Sequence, residues 1–274
     1  MKNSLLILFL FLLAACAHTP SREADFVSDD MVVASGAHTV IETFKSNKLS
    51  DRPTLLIALH GDTAPWDRSG AQYAFAESIA DANDNVVAIG MVRPGYVDPN
   101  GRTSDGPQGE GVGDNYGRPQ IDQIAAAVRE LKSRHNAERV ILVGESGGAA
   151  TAANVVSIYP DLVDQAVLIV CPCDVVRWRA HMAEKTGKPE VFGGAIDTLS
   201  PIDLVENVSD QTNITLIAGA EDTVAPQDLV QSYYAALIAA GKHAEFTIVE
   251  GGHGIFMAPE VLEQVNAIVA TPPN

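Results

Sequence analysis

Short, almost uninterrupted apolar runs alternate along the chain with segments in which apolar residues recur every three or four positions. Continuous apolar runs are typical of β-strands that are covered on both faces. They predict strands over residues 54–59, 85–91, 140–144, 165–170, 213–218 and 244–249. The periodic segments predict helices over residues 70–81, 119–135, 147–159, 226–240 and 259–270.

Strict alternation of strand and helix predicts an α/β fold with a mostly parallel central sheet flanked by helices. The chain has 274 residues, a length that one such domain can fill, and we assign residues 31–274 to it. Residues 98–118 are rich in Gly, Asp and Asn and predict a long loop. Long ordered loops in compact domains are often functional.

The amino-terminal segment has the features of an export signal rather than of a folded domain. Lys2, an apolar run over residues 5–13 and a small-residue cleavage site indicate a signal peptide over residues 1–15. Leu13-Ala14-Ala15-Cys16 resembles the lipobox of bacterial lipoproteins, whose cysteine receives fatty acyl chains such as palmitate. The alternative is a plain signal peptide with a chance cysteine.

The lipobox resemblance implies a protein anchored to the cell envelope through Cys16, with residues 16–30 as a polar tether. Because Ala17 rather than Asp follows the cysteine, the resemblance to Gram-negative sorting patterns points to the periplasmic face of the outer membrane. The membrane is therefore one expected partner.

The charge balance excludes one large class of partner. Eighteen Lys and Arg against 35 Asp and Glu give a net charge of -17, which opposes phosphate backbones, so no nucleic-acid partner is expected.

Besides Cys16 the chain has only Cys171 and Cys173. A bridge across one residue is expected to be strained in an extended chain, and free buried thiols are the alternative. Two thiols without neighbouring ligands predict no metal site.

Ser146 lies in a Gly-x-Ser-x-Gly pattern between a predicted strand and a predicted helix. Gly144 and Gly148 fill the glycine positions, and flanking glycines permit the tight turn of a nucleophile elbow. The amino end of the helix then lies beneath the serine, where its N–H groups can stabilise an oxyanion. The alternative is a glycine-rich turn in which Ser146 caps the helix.

A serine nucleophile needs a base and an acid that orients the base. Asp222 and His253 each follow a later predicted strand, so both are expected at the same sheet edge as Ser146. Alternatives stay open for both residues. Asp222 could be a turn residue, with Glu221 or Asp174 as the acid instead, and His253 could be part of a glycine-rich loop.

The candidate oxyanion hole combines the backbone N–H of Gly147 with that of Asp62. His60-Gly61-Asp62 follows the first predicted strand, and Gly61 allows the backbone to turn so that the Asp62 N–H points at the developing charge. His60 is expected to be structural, because the role of base is already filled.

These motifs together resemble the α/β-hydrolase superfamily, and most closely its dienelactone-hydrolase and prolyl-oligopeptidase-like branch. The resemblance covers residues 54–255. It implies that Ser146 is the nucleophile, His253 the general base and Asp222 its orienting acid, with Gly147 and Asp62 as backbone donors. It implies no cofactor, and it places a short lid-like segment over about residues 174–205, after the sixth strand.

The expected function is a serine hydrolase that cleaves a carboxylic ester or an amide through an acyl-enzyme. Its partner is then a small-molecule or peptide substrate. The alternatives are a peptidase of the prolyl-oligopeptidase type and a non-catalytic envelope lipoprotein that uses the same fold for binding. The sequence predicts no oligomeric state.

Basic residues form a stripe in the lid-like segment, at Arg177, His181 and Lys185, extended by Lys188 if the helix reaches that far. A solvated face is one interpretation. The other is a local reversal of the acidic field that attracts an anionic substrate.

Overall fold

A computed structural model describes residues 29–63, 67–109, 113, 115–194 and 197–272. Eight strands form one sheet in the order β1-β2-β4-β3-β5-β6-β7-β8. The strands are Met31–Ala34, Ala37–Lys45, Thr54–Leu59, Val86–Met91, Arg139–Glu145, Gln165–Ile169, Asn213–Gly219 and Ala244–Val249. The last six are mutually parallel, whereas β1 and β2 join the β4 edge in antiparallel pairing. The predicted α/β class and its mostly parallel sheet are confirmed.

The helices lie on both faces of the sheet. In the described part of the chain the α-helices are α1 Ala71–Ala82, α2 Arg118–Arg134, α3 Gly147–Ile158, α4 Val175–Thr186, α5 Pro189–Phe192, α6 Gln227–Ala239 and α7 Pro259–Ala270. All six predicted strands and all five predicted helices are confirmed to within two residues at either end.

The helices pack on the two faces of the sheet through two large apolar clusters. One packs under α2, α3 and α6, and includes Leu55, Ile57 and Leu59 of β3. The other packs under α1 and α7, and includes Leu56 and Ala58 of the same strand. Alternate residues of β3 therefore face opposite cores, which explains why this strand is apolar throughout.

The hairpin of β1 and β2 is the main element that the apolar runs do not predict. Its turn residues Ser35 and Gly36 both have positive φ, 52° and 80°, as the tight turns of two-residue hairpins require. Both strands mix buried and exposed positions, and β1 is the edge strand of the sheet. Half-exposed strands give only a weak sequence signal.

The segment after β6 consists of α4, α5 and a 3-10 helix over Pro201–Asn207. Gly187 ends α4 in the left-handed region at φ 65°, so Lys188 is not part of the predicted basic stripe. No helix in the described ranges is both long enough and apolar enough to cross a bilayer.

Cys171 and Cys173, which lie between β6 and α4, form a disulfide with a Cα–Cα distance of 5.1 Å. The expectation of a strained bridge assumed an extended backbone. That assumption is wrong, because the two Cα atoms lie closer together than in an extended chain and fall within the usual disulfide range. Both cysteines are fully buried.

Candidate functional site

Ser146 lies in a sharp turn between β5 and α3 with φ 51° and ψ -117°. A non-glycine residue in such a sparsely populated region costs about 1–3 kcal/mol and persists only where its surroundings impose it. The neighbouring glycines make the turn possible. A side chain at Gly144 would overlap the Gly148 carbonyl, and one at Gly148 would lie 2.5 Å from the Leu59 and His60 carbonyl oxygens. The pattern is therefore a steric requirement of the turn.

Three side chains from different strand ends form one chain of hydrogen bonds. His253 Nε2 lies 2.9 Å from Ser146 Oγ, and His253 Nδ1 lies 2.8 Å from Asp222 Oδ2. The imidazole side chain is 26% exposed and the Asp222 carboxylate is fully buried. The carboxylate favours the tautomer that carries the proton on Nδ1, which leaves Nε2 free to accept from the serine hydroxyl.

Asp222 is held by its own loop. Its second oxygen, Oδ1, accepts hydrogen bonds from the Val224 and Ala225 N–H groups at 2.7 and 3.0 Å. The two alternative acids lie elsewhere in this arrangement: Asp174 caps α4 by accepting from the Arg177 N–H at 3.1 Å, and Glu221 is exposed. Only Asp222 among the three hydrogen bonds to His253.

Helix α4 packs its basic stripe against the loop that carries Asp222. His181 Nε2 lies 3.0 Å from the Thr223 carbonyl oxygen, and Lys185 Nζ hydrogen bonds to Thr223 Oγ1. Arg177 faces Asp228 at 3.4 Å. Trp178 Nε1 donates to the Val224 carbonyl at 2.9 Å. His181, Lys185 and Trp178 therefore contact the loop next to the buried acid, whereas Arg177 contacts α6.

The segment His60-Gly61-Asp62 lies directly against the elbow. A Cβ on Gly61 would be 3.2 Å from both Ser146 Cβ and Glu145 Oε2, and a side chain at Gly147 would overlap the Asp62 carboxylate. Glu145 is a neighbour that sequence reasoning missed. Burial raises the pKa of its carboxyl group, against the opposing effects of His253 and of a hydrogen bond from the Gly61 N–H.

The Asp62 side chain, which is partly buried, is the centre of a second network. Arg93 Nη1 donates to Oδ1 at 2.8 Å, the Tyr96 hydroxyl donates to the same oxygen at 3.0 Å, and the Tyr116 hydroxyl donates to Oδ2 at 2.7 Å. Sequence reasoning missed all three donors. Arg93 follows β4 at the same sheet edge as the other site residues, and that position was the available signal.

His60 joins this network as a neutral side chain. Its Nε2 accepts from the Arg93 backbone N–H at 3.0 Å, and its Nδ1 lies 2.7 Å from the Gly61 carbonyl oxygen. Burial, together with the positive charge of Arg93, lowers the pKa of His60 from 6.5 to about 3. Its structural role stays a prediction.

This pKa predicts a loss of stability in mild acid. The unfolded chain binds a proton at His60 below pH 6.5, whereas the folded protein does so only near pH 3. Neutral His60 therefore costs no stability above the pKa of the unfolded chain, and the free energy of unfolding falls as the pH drops below it. The loss between pH 7 and pH 5 is about 2 kcal/mol, and denaturant titration at both pH values measures it.

The substitution His60→Gln should remove that share of the pH dependence, and His243→Gln, at an exposed histidine, is the matched control. If the free energy of unfolding of His60→Gln differs between pH 7 and pH 5 as much as that of the wild type, His60 is protonated in the folded protein at pH 5.

Within the described ranges, no three His, Cys, Asp or Glu side chains are grouped so that they could hold a metal ion. Cys16 lies outside the described residues.

The chain is similar to several solved hydrolase structures. It aligns with an acylaminoacyl peptidase of Pyrococcus horikoshii at 16% identity and a TM-score of 0.64, covering 85% of this chain and 39% of the other. The esterase Pf2001 of Pyrococcus furiosus aligns at 18% identity and a TM-score of 0.63, covering 88% and 89%. The butyrate-bound esterase Est2 of Thermogutta terrifontis aligns at 17% identity and a TM-score of 0.60, covering 86% and 90%.

These likenesses show the fold, and the chain spans about two fifths of the acylaminoacyl peptidase. No curated protein matches the chain at significant similarity. The sequence model of the prolyl oligopeptidase family, Peptidase S9, matches residues 95–270. Because this match covers more than half of the chain, and the fold is that of the α/β-hydrolases, the protein belongs to the prolyl oligopeptidase family.

Proposed function

We propose that the protein hydrolyses carboxylic esters through an acyl-enzyme on Ser146, with His253 as general base and Asp222 as the acid that orients it. The observation that carries the proposal is the unbroken chain of hydrogen bonds from Ser146 Oγ through His253 to Asp222, at 2.9 and 2.8 Å. That chain begins at a serine held in a strained turn, as expected of a positioned nucleophile.

In the first half-reaction Ser146 Oγ attacks the substrate carbonyl while His253 Nε2 takes the hydroxyl proton. A bond forms between Oγ and the carbonyl carbon, and the negative charge moves to the carbonyl oxygen. The backbone N–H groups of Asp62 and Gly147 stabilise that charge. Collapse of the intermediate breaks the bond to the leaving alcohol, which receives the proton from His253.

The second half-reaction repeats these steps with water. His253 removes a proton from a water molecule that attacks the acyl-enzyme, the same two donors stabilise the new oxyanion, and His253 returns the proton to Ser146 as the acid leaves. No cofactor takes part in this scheme. Buried Asp222 holds the imidazole in one tautomer throughout.

An ester is the first choice of substrate because an alkoxide is a better leaving group than an amide nitrogen. Two of the similar structures described above are esterases, and each aligns over most of both chains. A peptidase is the second candidate, because the family takes its name from an oligopeptidase and the triad permits amide hydrolysis.

The substrate class can be read from a panel of neutral p-nitrophenyl esters of increasing acyl length beside dipeptide p-nitroanilides. We expect kcat/KM for the preferred ester to exceed that for every anilide by at least about a hundredfold. An anilide that is cleaved as efficiently as the best ester would favour the peptidase. Hydrolysis of neither class, without labelling by a fluorophosphonate, would favour the non-catalytic alternative.

The triad predicts a defined pattern of mutant kinetics. Ser146→Ala and His253→Ala should each lower kcat by about four to six orders of magnitude, and the double variant should be little worse, because the residues act as a unit. Asp222→Asn should lower kcat by about 10⁴-fold through the wrong tautomer of His253. Steady-state hydrolysis of the preferred ester measures all four.

Asp174→Asn is the matched control, since it makes the same chemical change at the neighbouring acid. We expect it to leave kcat within about threefold, because Asp174 caps α4 and does not hydrogen bond to His253. A severe loss in Asp174→Asn together with a mild one in Asp222→Asn would transfer the role of acid to Asp174.

We also propose that the protein is exported and anchored by fatty acyl chains on Cys16 to the periplasmic face of the outer membrane. Several acyl chains bind a bilayer far more firmly than one. Cys16→Ser should therefore release the protein to the soluble fraction or block its processing. Ala17→Asp, which keeps the cysteine, should move it to the inner membrane. Correctly processed Cys16→Ser protein that still sediments with membranes would contradict lipidation.

A further inference from the structure

The Asp62 carboxylate lies beside both segments proposed to stabilise the oxyanion. Its own backbone N–H is one of the two donors, and the carboxylate is packed so closely on Gly147 that no side chain fits there. Arg93 Nη1 would also lie 2.9 Å from a Cβ at Gly147. A displacement of this one carboxylate would therefore move both donors.

The charge of Asp62 would oppose catalysis if it were left alone, because a carboxylate near a developing oxyanion raises the energy of that oxyanion. Arg93 offsets it. The Arg93 side chain is fully buried, and its guanidinium faces the Tyr96 and Tyr116 rings at 4.9 and 5.6 Å. Within the described residues its Nε and Nη2 atoms have no hydrogen-bond partner. The ion pair with Asp62 is made by Nη1.

The two tyrosines have a double role in this arrangement. Each presents its ring to the guanidinium and its hydroxyl to the carboxylate, at 3.0 Å for Tyr96 and 2.7 Å for Tyr116. Burial opposes ionisation of Asp62, but Arg93 and the tyrosine hydrogen bonds outweigh it and lower the pKa of the carboxyl group. The carboxylate is thus fixed from three sides.

We propose that Asp62, through Arg93, Tyr96 and Tyr116, is a positioning residue that holds both oxyanion donors in place while its charge is neutralised. The inference rests on the proposed hydrolase function and adds three residues to it. None of the three touches the reacting atoms. Each acts through the Asp62 carboxylate, and its loss should weaken stabilisation of the transition state more than binding of the ground state.

The structure supplies a matched control in a neighbouring network. The Tyr73 hydroxyl donates to the buried carboxylate of Asp98 at 3.1 Å, and Asp98 is held by Arg102 at 2.7 Å. Tyr73→Phe and Tyr116→Phe therefore delete the same chemical group, each from an aspartate that also has an arginine partner. Only the second aspartate, Asp62, contacts Gly147.

The experiment compares these two variants in the whole protein, with the preferred neutral ester. Tyr116→Phe should lower kcat about tenfold and leave KM within about twofold, which is less than the hundredfold or more expected for deleting a donor outright. Arg93→Met should lower kcat further, by about a hundredfold, because it leaves the carboxylate charge uncompensated. Tyr73→Phe should leave both constants within about twofold.

Hydrogen exchange of the Asp62 amide provides a readout that does not depend on activity. Exchange should be roughly tenfold faster in Tyr116→Phe than in wild type and unchanged in Tyr73→Phe. Equal kinetics in the two tyrosine variants, or a loss confined to KM, would overturn the inference. An inactive wild-type protein would refute the proposed function instead, and the exchange comparison would still decide whether the tyrosine fixes the Asp62 backbone.

Discussion

The backbone of Ser146 is the constraint on which the rest of the site depends. A left-handed residue at the end of β5 is strained by about 1–3 kcal/mol, and the fold tolerates it because Gly144 and Gly148 leave room for the neighbouring carbonyl groups. This turn raises the hydroxyl above the sheet edge and starts α3 directly beneath it. His253 and Asp222 then need only follow β8 and β7 of the same parallel sheet to come within hydrogen-bond distance of the serine.

The parallel sheet also explains how much the sequence could predict. Strands buried on both faces leave continuous apolar runs, and the residue that follows each run must lie at one common edge. That rule is enough to bring Ser146, Asp222 and His253 together. It cannot predict the Asp62 network, because Tyr116 contacts Asp62 from a loop, and the apolar pattern does not predict the conformation of loops. It also gives no signal for the departure from an extended backbone that brings the Cα atoms of Cys171 and Cys173 within bridging distance.

Two networks surround the serine and have different physical tasks. Asp222, with its carboxylate fully buried and held by two N–H groups of its own loop, fixes His253, the proposed base, on one side. Asp62, paired with Arg93, lies on the other side, in the segment proposed to stabilise the oxyanion. Helix α4 contacts the loop of the first network through Trp178. The lid-like segment after β6 therefore supports the acid loop, a role that its position in the sequence alone does not reveal.

The central claim is that Ser146 is an activated nucleophile, and covalent labelling tests it most directly. Wild-type protein incubated with a fluorophosphonate should gain the mass of one adduct, which peptide mapping should place on Ser146. The His253→Ala variant, which keeps the serine but lacks the base, should label at least about a thousandfold more slowly. Absence of an adduct in the wild-type protein, or an adduct on another residue, would contradict the account.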